Sequence, residues 1–507
     1  MLVVGLDAST TAVKAIAWDG AGNAVAEGRA EISLENPGPD AWEQDAESWW
    51  SATLTALSML VSALGDRTKE LSALCVTHQR ETFVLTDEAS KPLAPALVWM
   101  DARGRDQVKR AVDALGADRL HQLSGKPACI TPSFYKLLGQ LGRQPELAKA
   151  SPRVLDVHAF LVFRLAGIWS TSLASADPLG LVDMSARAWA DDLIRFAGLD
   201  PTRFVALTKP RELIGKLADS VSRATGLPSA LPLVAGAGDG QSAGLGAGIV
   251  EPGRAYLNLG TAVVSGVLSG EYVVDPAFRT LFAADGESFF LESDLKGGTF
   301  TLTWLAEKWC GARTPSDVTR VLAGLEQKAR ALPPGSAGLV AVPYWNGVMN
   351  PYWDDDATGI VVGFTGSHGP EHLYRAILEG IAFEERLHAN GIERASGQKI
   401  RELVVMGGGS KSDLFCQILA DVLGRPIVRA RSSEATALGA GILAAVAAGL
   451  HPDLPSAVTA MTGTGEGFSP GSNASVYAAL QREVYEPLFP ALRGPLAQLA
   501  RLARQKT

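Results

Sequence analysis

Two short segments put a carboxylate, hydroxyls and glycine where a polyphosphate could be held. The first runs Gly5-Leu6-Asp7-Ala8-Ser9-Thr10-Thr11-Ala12-Val13-Lys14, and the second, Leu257-Asn258-Leu259-Gly260-Thr261-Ala262-Val263-Val264, echoes it half a chain later. Each reads as an apolar strand, a small-residue turn with hydroxyls, and another apolar strand. Such a turn offers backbone N–H groups and hydroxyls to phosphate oxygens, because small side chains let the backbone come close. Ser9, Thr10 and Thr11 are weak evidence alone, and Gly260-Thr261 strengthens them by repetition. The repeat predicts a duplicated domain with a nucleoside triphosphate between its halves. Asp7 ends its strand, where its carboxylate would face the same cleft and could hold Mg²⁺, which needs only one or two carboxylates beside phosphate oxygens. A plain turn-capping aspartate has the same local sequence.

Asp239 is the candidate catalytic residue. It stands where an apolar strand meets a small-residue segment, between Gly238 and Gly240. The flanking glycines would leave its carboxylate reachable from both sides, so that it could take the proton of an attacking hydroxyl in phosphoryl transfer. A helix N-cap is the alternative reading. The run Gly407-Gly408-Gly409, between a strand and a helix, suits close backbone approach to a nucleotide, although it could equally be a plain connection. His78, Gln79, Arg80 and Glu81 cluster after another strand, and Trp99 and Asp101 follow on the next loop. A guanidinium beside a carboxylate suits a polyhydroxylated ligand, with Trp99 as an apolar wall and Asp101 as a further acceptor. A surface ion pair with a core tryptophan is the competing reading. His158 and His372 lie in partly apolar helical stretches and read as structural.

The elements that must position these residues follow from turn chemistry and periodicity. Extended runs at 2–7, 13–18 and 24–33 form a meander, followed by a helix over about 45–64 and a strand over 71–77. Strands at 82–86 and 96–99 carry the second polar cluster, and residues 105–230 read as mostly helical. A strand at 231–237 leads into Asp239. The second half repeats the order: strands within 255–268, a helix at 299–309, strand 403–406, helix 412–423, strand 426–428 and a helix from 434. The boundary between halves is expected at 245–252, giving domains 1–248 and 249–507.

Composition bounds the rest. At 507 residues the chain is too long for one core. Its 47% apolar and 20% charged residues are those of a soluble globular protein. A net charge of −8 with no basic run argues against nucleic acid, so ATP must be held by local backbone groups and cations. The Ala/Gly-rich stretch 435–450 is short of a membrane span and predicts a tightly packed interior helix. Cys75, Cys129, Cys310 and Cys416 form no C-x-x-C pair, and no signal peptide is evident, so a cytoplasmic protein without a membrane partner is expected. No P-loop, dinucleotide-binding fingerprint or His/Cys metal cluster occurs.

Taken together, the motifs resemble the FGGY carbohydrate kinases of the sugar kinase, Hsp70 and actin superfamily. The resemblance covers nearly the whole chain: the opening run through Lys14, Trp42 to Asp45, Thr77 to Thr82, Val98 to Arg103, Gly236 to Gly244, Asn258 to Thr261, Gly359 to Phe364, Val404 to Asp413 and Glu434 to Ala440. It implies an α/β fold of two ribonuclease-H-like domains closing around ATP and a small sugar or polyol. By position, Asp239 resembles the family's base and Asp7 its Mg²⁺–ATP aspartate. Thr10, Thr11, Gly260 and Thr261 match the phosphate turns, Gly407 to Gly409 the adenine-side loop, and His78 to Glu81, Trp99 and Asp101 the substrate hydroxyl site. Gln79-Arg80-Glu81-Thr82 resembles the glycerol kinase branch, whereas the C-terminal half is more similar to xylulokinases. Gly240 and Gly139 depart from both patterns: Asn or Gln is expected after the base, and Trp after Lys136. The expectation is a pentulose kinase such as one acting on xylulose, with a glycerol or short-polyol kinase as the alternative. A non-catalytic nucleotide switch is a more distant one, and a homodimer is left open.

Overall fold

The computed structural model describes residues 1–504. The opening meander forms as its turn residues require: β1 (Leu2–Ala8), β2 (Ala12–Trp18) and β3 (Ala24–Glu31) pair antiparallel, with Asp7 opposite Lys14. β4 (Leu71–His78) joins β1 in parallel, bringing His78 level with Ala8. β5 (Leu213–Lys216) and β6 (Pro232–Val234) complete the first sheet in the order β5-β6-β4-β1-β2-β3. β1 and β4 are almost uninterrupted apolar runs because both faces of the sheet are covered. Helix α1 (Ala46–Leu64), capped by the Asp45 side chain on Glu47 N–H, buries Trp49, Leu57 and Leu60 on one face.

The second sheet contains β7 (Arg254–Leu259), β8 (Val263–Ser269), β9 (Arg279–Phe282), β10 (Phe289–Leu295), β11 (Glu402–Met406), β12 (Ile427–Ala430) and β13 (Thr464–Phe468), ordered β9-β10-β8-β7-β11-β12-β13. Its centre repeats the first: β7 is antiparallel to β8 and parallel to β11, as β1 is to β2 and β4. The duplication expected from the two hydroxyl turns is thus a duplication of sheet topology, and the chain folds as two α/β domains with mixed sheets flanked by helices.

The halves meet through two helices whose small residues allow backbone contact. Helix α2 (Asp239–Gly246) follows β6, and α3 (Ala435–Ala447), although late in the chain, packs on β1 and β4 of the first sheet. A Cβ on Gly5 would lie 2.0 Å from the Ala437 carbonyl oxygen, and one on Gly439 would lie 1.9 Å from that of Ser242. The glycine-rich stretch that reads as an interior helix is one, and its glycines set how closely the halves approach. Residues 105–230 differ from the mostly helical expectation: after the helix Val157–Ala166 the chain returns to short strands, and β5 becomes an edge of the first sheet by pairing with β6. Among the described residues no helix is long and apolar enough to cross a membrane.

Candidate active site

The first hydroxyl turn is closed by Ser9, whose N–H and hydroxyl both donate to the Ala12 carbonyl at 3.0 and 2.8 Å. Thr10 accepts from the Trp99 indole at 3.0 Å, tying the turn to the loop that follows the short strand Ala96–Leu97, while Thr11 is exposed. In the second turn the Gly260 carbonyl accepts from the Thr299 N–H and hydroxyl at 3.1 and 2.6 Å, leaving Thr261 exposed at the surface of the cleft. The glycine loop runs directly against this turn: a Cβ on Gly407, which has φ 81°, would lie 2.5 Å from Asn258 Oδ1, whereas Gly408 faces open space. A short 3₁₀ turn at Gly408–Lys411, which takes in the last two glycines, separates Gly407 from the helix Asp413–Leu423, whose start is capped by Ser412. The helix end is therefore not directly behind Gly407, as the strand-glycine-helix pattern predicts.

Asp7 lies at the end of β1 with Oδ1 buried and without a hydrogen-bond partner. Burial, reinforced by the negative charge of Asp239, pushes its carboxyl up to about 7; Lys14 opposes the shift and Glu434 adds to it. Lys14 itself is engaged by Glu434 across the domain junction at 2.6 Å. A carboxylate short of positive charge beside a second carboxylate is a donor set that fits a hard divalent cation.

Asp239 is the first residue of α2, and Gly238 occupies the N-cap position, so the aspartate is not itself the cap. Its Oδ1 accepts from Gly240 N–H at 2.7 Å and forms an ion pair with Arg80 Nε at 2.8 Å. The side chain is 40% exposed, so a carboxylate held at one oxygen keeps the other available to a hydroxyl. The flanking glycines act differently from the access role expected of them. A Cβ on Gly238 would meet Arg80 Cγ at 2.5 Å, and one on Gly240 would meet Arg80 Nη2 at 2.7 Å and Glu292 Oε2 at 2.8 Å. They make room for the arginine, which gives a physical reason for glycine after Asp239.

Arg80 and Glu81 are not a surface pair. Both are buried, and each is matched to a residue of the second sheet: Arg80 to Glu292 at 2.9 Å, and Glu81, at φ 51°, to Arg279 at 2.8 Å. Burial alone would raise the Glu292 carboxyl, but Arg80 and Arg279 overcome it and hold it at about 2. Asp294, 3.7 Å from Arg279, is pushed up to about 6 by burial. Trp99 is 38% exposed, and its backbone N–H donates to the Thr82 hydroxyl at 3.1 Å.

The remaining candidate polar residues of these two loops are buried. Asp101 is buried, with Oδ2 accepting from Trp42 N–H at 3.0 Å and Arg103 Nε at 2.8 Å and Oδ1 from Arg103 N–H at 3.1 Å. These bonds tie the loop that carries Trp99 to Trp42 and Arg103. Gln79 is likewise buried, bonded through its N–H to the Ala8 carbonyl and through its side chain to Gln44. His78, also buried, bonds to the Gln79 carbonyl and bridges to Gly238, so it aligns β4 with the start of α2. His158 accepts from Gly236 N–H at 3.2 Å, in keeping with a structural role.

Sequence reasoning missed Tyr256, Arg279, Glu292 and Asp294. The signal was present: Phe289–Leu295 carries two carboxylates inside an apolar strand, and a buried charge requires a partner.

The chain belongs to the FGGY family of carbohydrate kinases: the family's N-terminal domain matches residues 2–246 and its C-terminal domain residues 255–448. It is 29% identical to the xylulose kinase of Escherichia coli (strain K12), covering 97% of this chain and 100% of that protein. It is 30% identical to the glycerol kinase of Alkalilimnicola ehrlichii, covering 92% and 94%. Among solved structures, the ligand-bound xylulose kinase from Lactobacillus acidophilus shares the fold with a TM-score of 0.89 at 23% identity, covering 98% of this chain and 99% of that one. The xylulose kinase from Rhodospirillum rubrum gives a TM-score of 0.88 at 26% identity, covering 98% and 100%.

Proposed function

We propose that this protein transfers the γ-phosphoryl group of ATP to a hydroxyl of a small, uncharged sugar, with a pentulose such as xylulose favoured. The observation that carries this reading is a half-exposed Asp239 fixed at one oxygen beside Arg80, close enough to Asp7 at the end of β1 for its negative charge to act on that carboxyl. Asp239 would accept the proton of the attacking hydroxyl as the phosphorus–oxygen bond forms. Ser9, Thr10, Thr11, Gly260 and Thr261 would receive the phosphates, and Gly407 to Gly409 the adenine side. Mg²⁺ would be held through Asp7, offsetting negative charge on the phosphate oxygens. Arg80 and Glu81 would bind acceptor hydroxyls against Trp99, with His78, Gln79 and Asp101 holding that loop in place. Closure of the halves would exclude water and limit idle ATP hydrolysis. On this reading residues 1–248 supply the base and most of the acceptor site and residues 249–507 most of the nucleotide site.

Glycerol or another short polyol is the second reading, favoured by the adjoining Arg80 and Glu81 and by an exposed Trp99 on the next loop. ADP release with Mg²⁺–ATP against D-xylulose, L-xylulose, D-ribulose, L-ribulose, glycerol, erythritol and D-gluconate separates the two. A ketopentose as the one strong acceptor supports the first, glycerol or erythritol the second. Silence across the panel with ATP still bound removes both.

A further inference from the structure

Glu292 lies outside every motif of the sequence, yet few side chains in the cleft are bonded as heavily. It projects from β10 with no solvent exposure. Arg80 Nη1 donates to both of its oxygens at 2.9 Å, Arg279 Nε donates to Oε1 at 2.8 Å, and the Tyr256 hydroxyl donates to Oε2 at 2.6 Å. The two guanidinium groups extend onward, Arg80 to Asp239 and Arg279 to Glu81. A single carboxylate of the second sheet therefore lies between the arginine beside the proposed base and the arginine that holds the other acceptor-side carboxylate. Buried ion pairs of this kind give orientation more reliably than net stability, since taking the charges out of water costs about as much as their attraction returns. Arg80 faces two carboxylates and Arg279 three (Glu81, Glu292 and Asp294), so the cluster keeps no unmatched positive charge for an acidic ligand.

Resting on the kinase reading of this cleft, we propose that Glu292 is a specificity-determining positioning residue. It holds Arg80 beside Asp239 and Arg279 on Glu81, and by neutralising both it selects an uncharged polyhydroxylated acceptor over a sugar acid. Glu292→Gln keeps the shape and removes the charge. Gly240→Ala keeps every charge but places a Cβ 2.7 Å from Arg80 Nη2 and 2.8 Å from Glu292 Oε2, so it disturbs the pair from the other side.

Steady-state kinetics of the full-length protein and both variants, with Mg²⁺–ATP and the best neutral acceptor or D-gluconate, tests the proposal. Glu292→Gln is expected to raise the neutral acceptor's KM at least tenfold and leave that for ATP within twofold. It should also narrow the neutral-to-gluconate ratio of kcat/KM at least tenfold. Gly240→Ala is expected to reproduce the KM split without the change in ratio. Parallel rises in both KM values, or an unmoved ratio in Glu292→Gln, overturn the proposal. If Glu292→Gln yields no folded protein, Gly240→Ala decides alone, and an unchanged acceptor KM overturns it. Absence of any acceptor turnover by the unaltered protein removes the kinase reading and this inference together. Turnover by the unaltered protein with indifferent variants removes the inference only.

Discussion

The two sides of the cleft are built on opposite physical plans. On the proposed phosphate side, the hydroxyl turns and the glycine loop present small residues, with Thr11, Thr261 and Gly408 all reaching solvent. On the proposed acceptor side, Arg80, Glu81, Arg279 and Glu292 are buried and paired with one another. A polyphosphate carries its own charge and can be met by generic N–H donors and a cation. A small sugar or polyol offers only hydroxyls, so its site needs donors and acceptors held at fixed angles. Buried charge pairs supply that rigidity.

The largest test of this contrast is Asp239→Asn, which should lower kcat by about 10²–10⁴-fold while nucleotide affinity, read by titration calorimetry, stays within a few-fold. Turnover comparable to the unaltered protein would remove Asp239 as the base. Next, Arg80→Ala should raise the acceptor's KM by roughly 10–100-fold, the equivalent of losing about one to two charge-assisted hydrogen bonds, with a small effect on ATP. It should also lower the melting temperature, because Glu292 is left as a buried anion with one guanidinium fewer. Equal effects on both substrates would place Arg80 outside the acceptor site.

Gly407→Ala should act on the other side. Its Cβ would lie 2.5 Å from Asn258 Oδ1 at a φ of 81°, so KM for ATP should rise by roughly 5–20-fold, as for about 1–2 kcal/mol of strain. The acceptor KM should stay put, and a shift in it would break the division between the two sides. The smallest effect concerns Asp7 in the ligand-free protein. Its carboxyl rises from an ordinary 3.8 to about 7 on folding, so its charge costs nothing below pH 3.8 and increasingly destabilises the fold as pH rises toward 7. Asp7→Asn should therefore stabilise the protein at pH 8 by on the order of 1–2 kcal/mol, a figure discounted for partial exposure. It should do little near pH 4, and Mg²⁺ should stabilise only the unaltered protein. Thermal melts at the two pH values decide it, and a pH-independent effect would show that the strain at Asp7 is not electrostatic.

Much of the fold was legible because local chemistry dictates it. The meander of β1 to β3 follows from its turns, α1 from Asp45 and the spacing of Trp49, Leu57 and Leu60, and the sheet duplication from the repeated hydroxyl turn. The return to strand after residue 166 was not legible, since β5 owes its state to pairing with β6 rather than to its own four residues.

The site divides the same way. The two hydroxyl turns and the glycine loop could be placed between their strands because close backbone approach demands small residues at adjacent positions. The carboxylate of Asp101 reads identically whether it faces a ligand or, as here, Trp42 and Arg103. Whether Arg80 pairs on the surface or in the interior cannot be read until Glu292, 212 positions away, is placed beside it. Sequence alone determined the family resemblance and the strand-turn-strand units, both set by short-range chemistry. Only the tertiary structure decided which charges are buried and with whom they pair, because that depends on which strands of the second half are brought against the loop after β4.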